Sequence, residues 1–322
     1  MTAPAMDMPK AALLSQRGVA VVLAMGTVAL ATLAAVAILA GQGSWARRTE
    51  LTAGHTQALT LAQAGVDWAR AVLSDDRRAS NADHLGEPWA LRLAPVPIEE
   101  GAVKGALAGY LEDQQGRFNL NNLAANGKVD TAQLAHFRRL LTILGFSSSD
   151  SARLGDALCD WLDADNEPRP NGAEDDYYRA MQPPYLPANR PLTDLAELAL
   201  VRGFDAGVRA RLRPFVSALP KATPVNVNTA PPEVLAAVVD GLDLDAARTL
   251  VTQRERLYFR DGNEFTRALP KGASAAAGDV SVASDFFSVT VHVDIGDAEA
   301  SGTALLARPT AGWPSVVWEK MR

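Results

Sequence analysis

The chain has 322 residues, of which 48% are hydrophobic and 21% charged, a composition typical of a folded protein with one or two cores and not of a disordered chain. Its formal net charge of -6 argues against a general binder of nucleic acids or anionic membranes, because such proteins take most of their affinity from clustered lysine and arginine. The single cysteine, Cys159, permits no internal disulfide and does not distinguish a reducing from an oxidising compartment.

The N-terminal region contains a long apolar stretch. No charged residue occurs in the range 18–46, and apolar residues cover all sides of the predicted helix. At about 1.5 Å per residue, this helix is long enough for a bilayer of roughly 30 Å. Lys10 and Arg17 precede it, so the positive-inside rule predicts a cytoplasmic N-terminus, although Arg47 and Arg48 weaken the asymmetry. A cleaved secretory signal is the alternative, but its small-x-small site is matched only loosely.

The motif QRG stands directly before the apolar stretch. Followed by VAVVLAMGTVALATL, it resembles the class III signal of type IV pilins and type II secretion pseudopilins, which a prepilin peptidase cleaves on the cytoplasmic face. The resemblance implies cleavage between Gly18 and Val19, a leader peptide over residues 1–18 and a transmembrane helix over residues 19–48. Most such proteins have glutamate at the fifth mature position, where this chain has Leu23.

Helical spacing continues beyond the apolar stretch. The apolar positions that carry it are Leu51, Ala58, Leu61, Ala62, Val66 and Ala69. The sequence therefore predicts one long helix, half in lipid and half packed on a folded domain. Pro88, Pro95 and Pro97 then exclude a helix, and extended segments are expected there.

Strands are predicted again near the C-terminus. Apolar and polar residues alternate there. The apolar residues are Phe287, Val289, Val291 and Val293, and the polar residues between and after them are Ser288, Thr290, His292 and Asp294. This pattern predicts a half-buried strand followed by a second one. Because the sequence between the two β regions looks almost wholly helical, we predict an inserted α-helical domain over residues 119–280, within a domain formed by residues 49–118 and 281–322.

Two helices of the insertion have recognisable capping signals in the sequence. Asp130 with Gln133 suits a capping box, Gly145 suits a helix stop, and the serines at 147–149 can cap the next helix. The expected buried stripe of the first helix comprises Leu134, Phe137, Leu140, Leu141 and Leu144.

Residues 228–259 predict two helices joined by a tight turn at Gly241. This arrangement resembles a helix-hairpin-helix, which often binds DNA phosphates through glycine amides. Asp240, Asp243 and Asp245 crowd the turn with negative charge, which favours structural packing over DNA binding. A membrane-anchored periplasmic receptor for DNA uptake is the alternative function.

The segment DWLDADNEPRPNGAEDDYY carries many carboxylates and a single arginine, Arg169. Its prolines and glycine predict a loop in which the carboxylates converge, and calcium relieves their repulsion with a flexible shell of oxygen ligands. The candidate ligands are Asp160, Asp163, Asp165, Glu167, Glu174, Asp175 and Asp176. The segment is not an EF-hand, and magnesium is less expected because it keeps its waters. A solvated acidic loop is the alternative.

Enzymatic signatures are weak. The histidines at His55, His84, His136 and His292 lack metal-ligand spacing, and neither a G-x-S-x-G elbow nor a glycine-rich phosphate loop after a strand occurs. The paired carboxylates lack the aromatic-lined sequence of a sugar cleft. We therefore expect no enzyme.

Several motifs together resemble one family over nearly the whole chain. They are RGVAVVLA, DQQGRFNLNNL, LCDWLDADNEPRPNGAEDDYY, NRPLTDLAEL and VNVNTAPPEVL. The chain is thereby identified as resembling the K-class minor pseudopilins of the type II secretion system, the GspK family. The resemblance implies an α+β, pilin-like fold with a long N-terminal transmembrane helix and an antiparallel sheet, interrupted by a large inserted α-helical domain that binds calcium.

The same resemblance implies a cellular role. The protein is expected at the tip of the periplasmic pseudopilus, where it helps initiate assembly for protein export across the outer membrane. Its implied partners are the I- and J-class minor pseudopilins, the major pseudopilin and the prepilin peptidase, without nucleic acid. It is expected to be a single-pass inner-membrane protein with its C-terminal domain in the periplasm. The family lacks the fifth-position glutamate, so Leu23 supports the resemblance.

Overall fold

The structure, a computed structural model, describes residues 12–100 and 103–322. The described helices are α1 (Ala12–Ala79), α2 (Thr131–Ile143), α3 (Ser148–Leu162), α4 (Asp175–Arg179), α5 (Ala206–Leu212), α6 (Pro232–Val238), α7 (Leu244–Arg256) and α8 (Gly262–Ala268). The described strands are β1 (Leu93–Glu100), β2 (Val103–Asp113), β3 (Phe118–Asn119), β4 (Val216–Ser217), β5 (Val225–Asn226), β6 (Val280–Ser281), β7 (Phe286–Ile295), β8 (Ala298–Ala307) and β9 (Ser315–Met321). Short 3-10 helices cover Pro88–Ala90, Leu120–Gly127 and Leu195–Leu200.

Helix α1 runs without interruption through 68 residues. Its N-terminal part is long and apolar enough to cross a membrane, and none of that part is buried against protein. Further along, Ala58, Ala62, Val66 and Ala69 are buried against the sheet, which confirms the predicted long helix and most of its apolar stripe. Leu51 also lies in the helix, as its spacing predicted, but it is 43% exposed because it lies beside the β7–β8 turn where the sheet ends.

The main sheet is five-stranded and antiparallel, in the order β1-β2-β7-β8-β9. The alternation predicted for β7 is confirmed, since Phe287, Val289, Val291 and Val293 form a buried cluster with α1. The strand β8 follows as predicted. The strand β9 was not predicted, because this half-exposed edge strand carries glutamate and lysine and lacks a clear apolar alternation.

Prolines mark one edge of the sheet. Pro95 and Pro97 lie in the edge strand β1, where a missing backbone N–H breaks no ladder and discourages pairing with another chain. Pro88 departs from the expected extended structure. It begins a 3-10 helix of three residues, because proline is well suited to the first position of a helix.

The inserted domain, residues 114–285, lies between the adjacent strands β2 and β7. Asp113 pairs with Phe287 in the register of these strands, so the chain leaves and re-enters the sheet at one place. The domain has its own core, to which Phe118, Phe137, Leu158 and Val234 belong. It is less helical than predicted, because the parallel pairs β3–β4 and β5–β6 and long proline-containing loops lie between its helices.

Helix α2 begins and ends close to the capping residues that the sequence predicted. The Asp130 side chain accepts hydrogen bonds from the amides of Ala132 and Gln133, which confirms the predicted cap. The Gln133 side chain does not complete a capping box and instead donates to Asp279 at 2.7 Å. At the other end, Gly145 has φ +81° and ends the helix.

A buried polar network joins the sheet to the inserted domain. The Asp113 carboxylate accepts hydrogen bonds from Asn226 Nδ2 at 3.0 Å, Thr229 Oγ1 at 2.5 Å and Ser284 Oγ at 2.7 Å. Nearby, the buried Arg308 guanidinium pairs with Asp76 and Asp83. Because Asp76 belongs to α1 and Arg308 follows β8, these ion pairs fix the end of the long helix to the sheet.

Candidate cation site at the end of helix α3

Three carboxylates converge where helix α3 meets the loop that follows it. Asp163, Asp165 and Glu174 each offer an oxygen atom, and these atoms lie within 4.8 Å of one another. Asp163 is the C-cap of α3 and Glu174 is the N-cap of α4. The loop between them folds back on the helix, so residues distant in sequence meet at one point.

The path of the loop is set by a close approach between Gly172 and Asp160. One oxygen of the fully buried Asp160 carboxylate accepts a hydrogen bond from the Arg169 amide at 3.1 Å. Arg202 also holds the loop, since its Nη1 donates to the Gly172 carbonyl at 2.8 Å and its guanidinium lies over the Tyr177 ring at 4.7 Å. The acidic loop is thus held by a supporting layer of hydrogen bonds.

Several carboxylate oxygens in this site are buried without a hydrogen-bond donor in the described part of the chain. They are Asp160 Oδ1, Asp163 Oδ1 and both Glu174 oxygens. Arg169 Nε lies 3.9 Å from Asp160 Oδ1, so one cation faces several anions. The last turn of α3 has no basic residue, although the negative end of the helix dipole disfavours carboxylates there.

Burial and mutual repulsion raise the pKa values of these groups. Burial, followed by the charges of Asp160 and Asp163, raises the pKa of Glu174 to about 8. Burial, followed by the charge of Asp165, raises the pKa of Asp163 to about 6. The pKa of Asp160 is also raised to about 6, mainly by burial. Unpaired, buried and mutually close oxygens of this kind fit a hard divalent cation, whose charge would offset their repulsion.

The other predicted ligands are not brought into this group. Glu167 and Asp176 are exposed. Asp175 forms an ion pair with Arg179 at 2.6 Å, within one turn of α4. Asp160 adjoins the group, but its second oxygen is engaged by the loop backbone.

Sequence reasoning missed Asn189, which also contacts the acidic loop. Its Nδ2 donates to the Asp165 carbonyl at 3.2 Å, and its buried Oδ1 has no hydrogen-bond partner in the described residues. Asn189 has φ +45°, a left-handed conformation in which asparagine is enriched. Nothing in the sequence indicated contact between Asn189 and residues 163–174.

The predicted helix-hairpin-helix consists of α6, the turn at Gly241 and α7. Another segment contacts its turn, since the amide of Asp240 donates to the Ser274 carbonyl at 2.8 Å and a Cβ at position 241 would lie 2.6 Å from the Gly272 carbonyl oxygen. The Asp240 side chain pairs with Arg139 at 2.6 Å. These contacts support the packing interpretation, because phosphate binding needs accessible amides and positive charge.

The predicted processing positions lie in α1. Gly18 belongs to the helix, and the side chains of Val19 and Leu23 are exposed. Residues 1–11 of the predicted leader lie outside the described residues. Cleavage after Gly18 and the proposed significance of Leu23 stay predictions.

A long apolar helix packed on an antiparallel sheet, with an α-helical domain inserted between two strands, defines a pilin-like protein of unusual size. Models of the family described as "Type II secretion system (T2SS), protein K" match residues 116–221 and 225–289. The type II secretion system protein K of Pseudomonas aeruginosa is 37% identical over 92% of this chain and 90% of its own length. That of Klebsiella pneumoniae is 34% identical over 91% of this chain and 93% of its own length.

The fold comparison agrees with these relatives. A chain from the crystal structure of the GspK-GspI-GspJ complex from enterotoxigenic Escherichia coli is similar with a TM-score of 0.73 and 27% identity, covering 85% of this chain and 99% of that chain. This chain belongs to the type II secretion system protein K family. The membership confirms the resemblance seen in the motifs and the predicted fold class, and it supports the role of a minor pseudopilin over that of a DNA receptor.

Proposed function

We propose that this protein is a structural, non-catalytic subunit at the tip of a periplasmic pseudopilus, assembled with I- and J-class minor pseudopilins. The observation that carries the proposal is its similarity, over 99% of the matched chain, to a structure solved within a GspK-GspI-GspJ complex. Helix α1 serves as the inner-membrane anchor, and the sheet with its inserted domain lies in the periplasm. Both statements are supported by the apolar segment beginning at Val19 and by the basic residues before it.

The position at the tip rests on Leu23 and on the inserted domain. The resemblance to type IV pilins implies that a glutamate at this position pairs with the N-terminal ammonium of the subunit added before. A subunit without a predecessor has no such partner, and a buried unpaired carboxylate would lose several kcal/mol of hydration. Leucine removes this cost. The bulk of residues 114–285 also favours a position at the tip, because it would obstruct a subunit stacked above.

Imaging of labelled pseudopili tests this position. A label on the wild-type protein is expected at one end of each filament. Deletion of residues 114–285 is expected to let the label enter the shaft, since Asp113 and Phe287 are neighbours in the sheet and a short turn can join β2 to β7. Label along the shaft of wild-type filaments would overturn the proposal. The Leu23→Glu variant, imaged alone, tests the contribution of the missing glutamate separately.

Assembly and processing have independent tests. The full chain, extracted in a mild detergent, should copurify with the I- and J-class subunits, and failure to do so would contradict the proposed complex. Mass spectrometry should find Val19 as the first residue of the mature protein. Gly18→Ala should block cleavage without preventing membrane insertion. A mature start beyond Ala40 would show that the segment is an ordinary secretory signal.

We further propose that Asp163, Asp165 and Glu174 hold calcium, with Asp160 beside them. The proposal is supported by the unpartnered buried oxygens of the site and by the cost of leaving neighbouring carboxylates uncompensated. A bound cation would fasten the end of α3 to the start of α4. Calcium suits the irregular loop better than magnesium, because it accepts a more flexible oxygen shell.

The calcium proposal is tested by thermal unfolding of the full chain in detergent. Calcium should raise the melting temperature, because a ligand that binds only the folded state stabilises it, and magnesium should substitute poorly. Asp163→Ala and Asp165→Ala should abolish the shift. Asp176→Ala is the matched control, since Asp176 is acidic, exposed and outside the group. Equal melting of the wild-type protein with and without calcium would exclude a structural calcium site.

A further inference from the structure

A groove on the inserted domain lies between the 3-10 helix Leu195–Leu200 and helix α5. We call it the α5 groove. It has a volume of about 420 Å³ and is lined by Asp194, Leu195, Ala196, Leu198, Ala206, Arg209, Ala210, Arg213 and Val216. It continues into a cleft of about 440 Å³ between the inserted domain and the outer face of the sheet. The two spaces share Asp194, Leu195 and Arg213.

Two arginines of the α5 groove have no carboxylate partner. In residues 12–100 and 103–322, neither Arg209 nor Arg213 forms an ion pair, and the Arg209 side chain donates only to a backbone carbonyl, that of Asp205 at 3.3 Å. Many arginines of the same domain are paired. Examples are Arg138 with Asp156, Arg139 with Asp240, Arg153 with Asp150, and Arg190 with Glu197.

The carboxylate of the groove itself does not compensate these arginines. Asp194 is engaged by the Lys320 ammonium, and its other oxygen accepts from the Ala196 amide at 2.8 Å. Arg209 and Arg213 are also four residues apart, so they project on the same side and repel each other. The dipole of α5 favours positive charge near its C-terminus. The helix dipole alone does not account for two guanidinium groups that line one groove in a chain whose net charge is -6.

We propose that the α5 groove is a docking site for an acidic, extended polypeptide segment of a partner protein. Carboxylates of that segment pair with Arg209 and Arg213, whose planar guanidinium groups suit paired hydrogen bonds to carboxylates. An apolar side chain between the carboxylates packs on Leu195 and Ala210. The positive charge of the groove determines the chemistry of the occupant, and the continuous cleft leaves room for the segment to extend along the sheet.

The test measures binding of a defined peptide to the full chain in non-ionic detergent. The probe is a fluorescein-labelled peptide of alternating glutamate and leucine, followed by fluorescence anisotropy at low salt. The matched probe replaces every glutamate with glutamine. We expect the acidic peptide to bind, the amide peptide to bind at least about tenfold more weakly, and added salt to weaken the acidic peptide's binding.

Matched variants distinguish binding at the α5 groove from nonspecific attraction between the acidic peptide and positive charges elsewhere on the protein. The double variant Arg209→Gln with Arg213→Gln should weaken binding by about tenfold or more. The control is Arg256→Gln with Arg267→Gln, which removes the same charge from the last turns of α7 and α8 and should bind as the wild type does. A melting curve for each variant checks the fold.

A charge-reversed pair gives an independent result. Arg209→Glu with Arg213→Glu should lose the acidic peptide and gain a peptide in which lysine replaces glutamate. The proposal is overturned if the wild type binds neither peptide, if it binds the acidic and amide peptides equally, or if the control variant loses as much affinity as the groove variant.

Discussion

A Cβ atom at position 172 would lie 1.8 Å from Asp160 Oδ2. This distance is far shorter than any van der Waals contact, so Gly172 is the residue that lets the acidic loop pass directly over the end of α3. The same approach places the loop amides around the Asp160 carboxylate, which is completely buried. The geometry of the candidate cation site therefore depends on a residue without a side chain.

Substitution of Gly172 by alanine should displace the acidic loop. The new methyl group would collide with the buried carboxylate of Asp160, and relief would separate Glu174 from Asp163. We expect a lower melting temperature and loss of the calcium-dependent increase, measured by thermal unfolding of the full chain. Gly262→Ala is the matched control, because a Cβ at that position meets nothing within 4 Å. A calcium shift of normal size in Gly172→Ala would contradict this account.

The stability of the calcium-free protein should fall as the pH rises from about 4.5 to about 8. Burial and then neighbouring charge raise the pKa of Glu174 from 4.5 to about 8, so in this range the folded state retains a proton that the unfolded state releases. Raising the pH then favours the unfolded state. Calcium binds the deprotonated carboxylate, so its stabilising effect should increase over the same range.

Melting temperatures across this range, with and without calcium, check both signs. Glu174→Gln should flatten the profile of the calcium-free protein above about pH 6, where Asp160 and Asp163 contribute less, and it should reduce the calcium effect at high pH. Asp176→Asn should keep the wild-type profile, because Asp176 is exposed and outside the group. A wild-type profile in Glu174→Gln would show that another group is responsible.

Arg308→Met should strongly destabilise the protein. The substitution retains most of the side-chain volume but leaves the buried carboxylates of Asp76 and Asp83 without their cation. Removing one partner of a buried ion pair typically costs about 3–5 kcal/mol. Urea denaturation measures the change. Lys221→Met is the control, since Lys221 pairs with Asp285 at the surface and should cost at most about 1 kcal/mol.

Leu73→Ala and Leu51→Ala should differ in effect although both residues lie in α1. Leu73 is completely buried in the cluster that contains Trp89 and Phe287, so its truncation should cost about 2–5 kcal/mol. Leu51 is 43% exposed, and its truncation should change the free energy of unfolding by less than about 0.5 kcal/mol. Urea denaturation of the two variants compares them directly, and similar losses would show that the end of the sheet covers Leu51 in solution.

Local signals predicted much of the fold from the sequence. The apolar stretch of α1, the cap at Asp130 and the alternation around Val291 each arise from neighbours a few residues apart, so periodicity and capping rules detect them. The strand β9 and the exposure of Leu51 depend on where other elements end. Such properties are decided by tertiary packing, which a local pattern does not contain.

The acidic loop illustrates the same limit within a site. Its composition predicted converging carboxylates, and Asp163, Asp165 and Glu174 do converge. Composition could not exclude Asp175, whose charge is taken by Arg179 one helical turn later. Nor could it identify Arg202, because the hydrogen bond to Gly172 joins segments separated by a whole loop.

Helix α1 connects its apolar end to the folded domains without an interruption. From Val19 to Ala79 it contains 61 residues, which gives a rod of about 90 Å at 1.5 Å per residue. The rod ends at the ion pair between Asp76 and Arg308, which binds it to the sheet and, through Ser284, to the inserted domain. A displacement applied to the apolar end of the rod is therefore passed on to the sheet and the inserted domain. A flexible linker would absorb that displacement, whereas a continuous helix connects its apolar end directly to the folded domains.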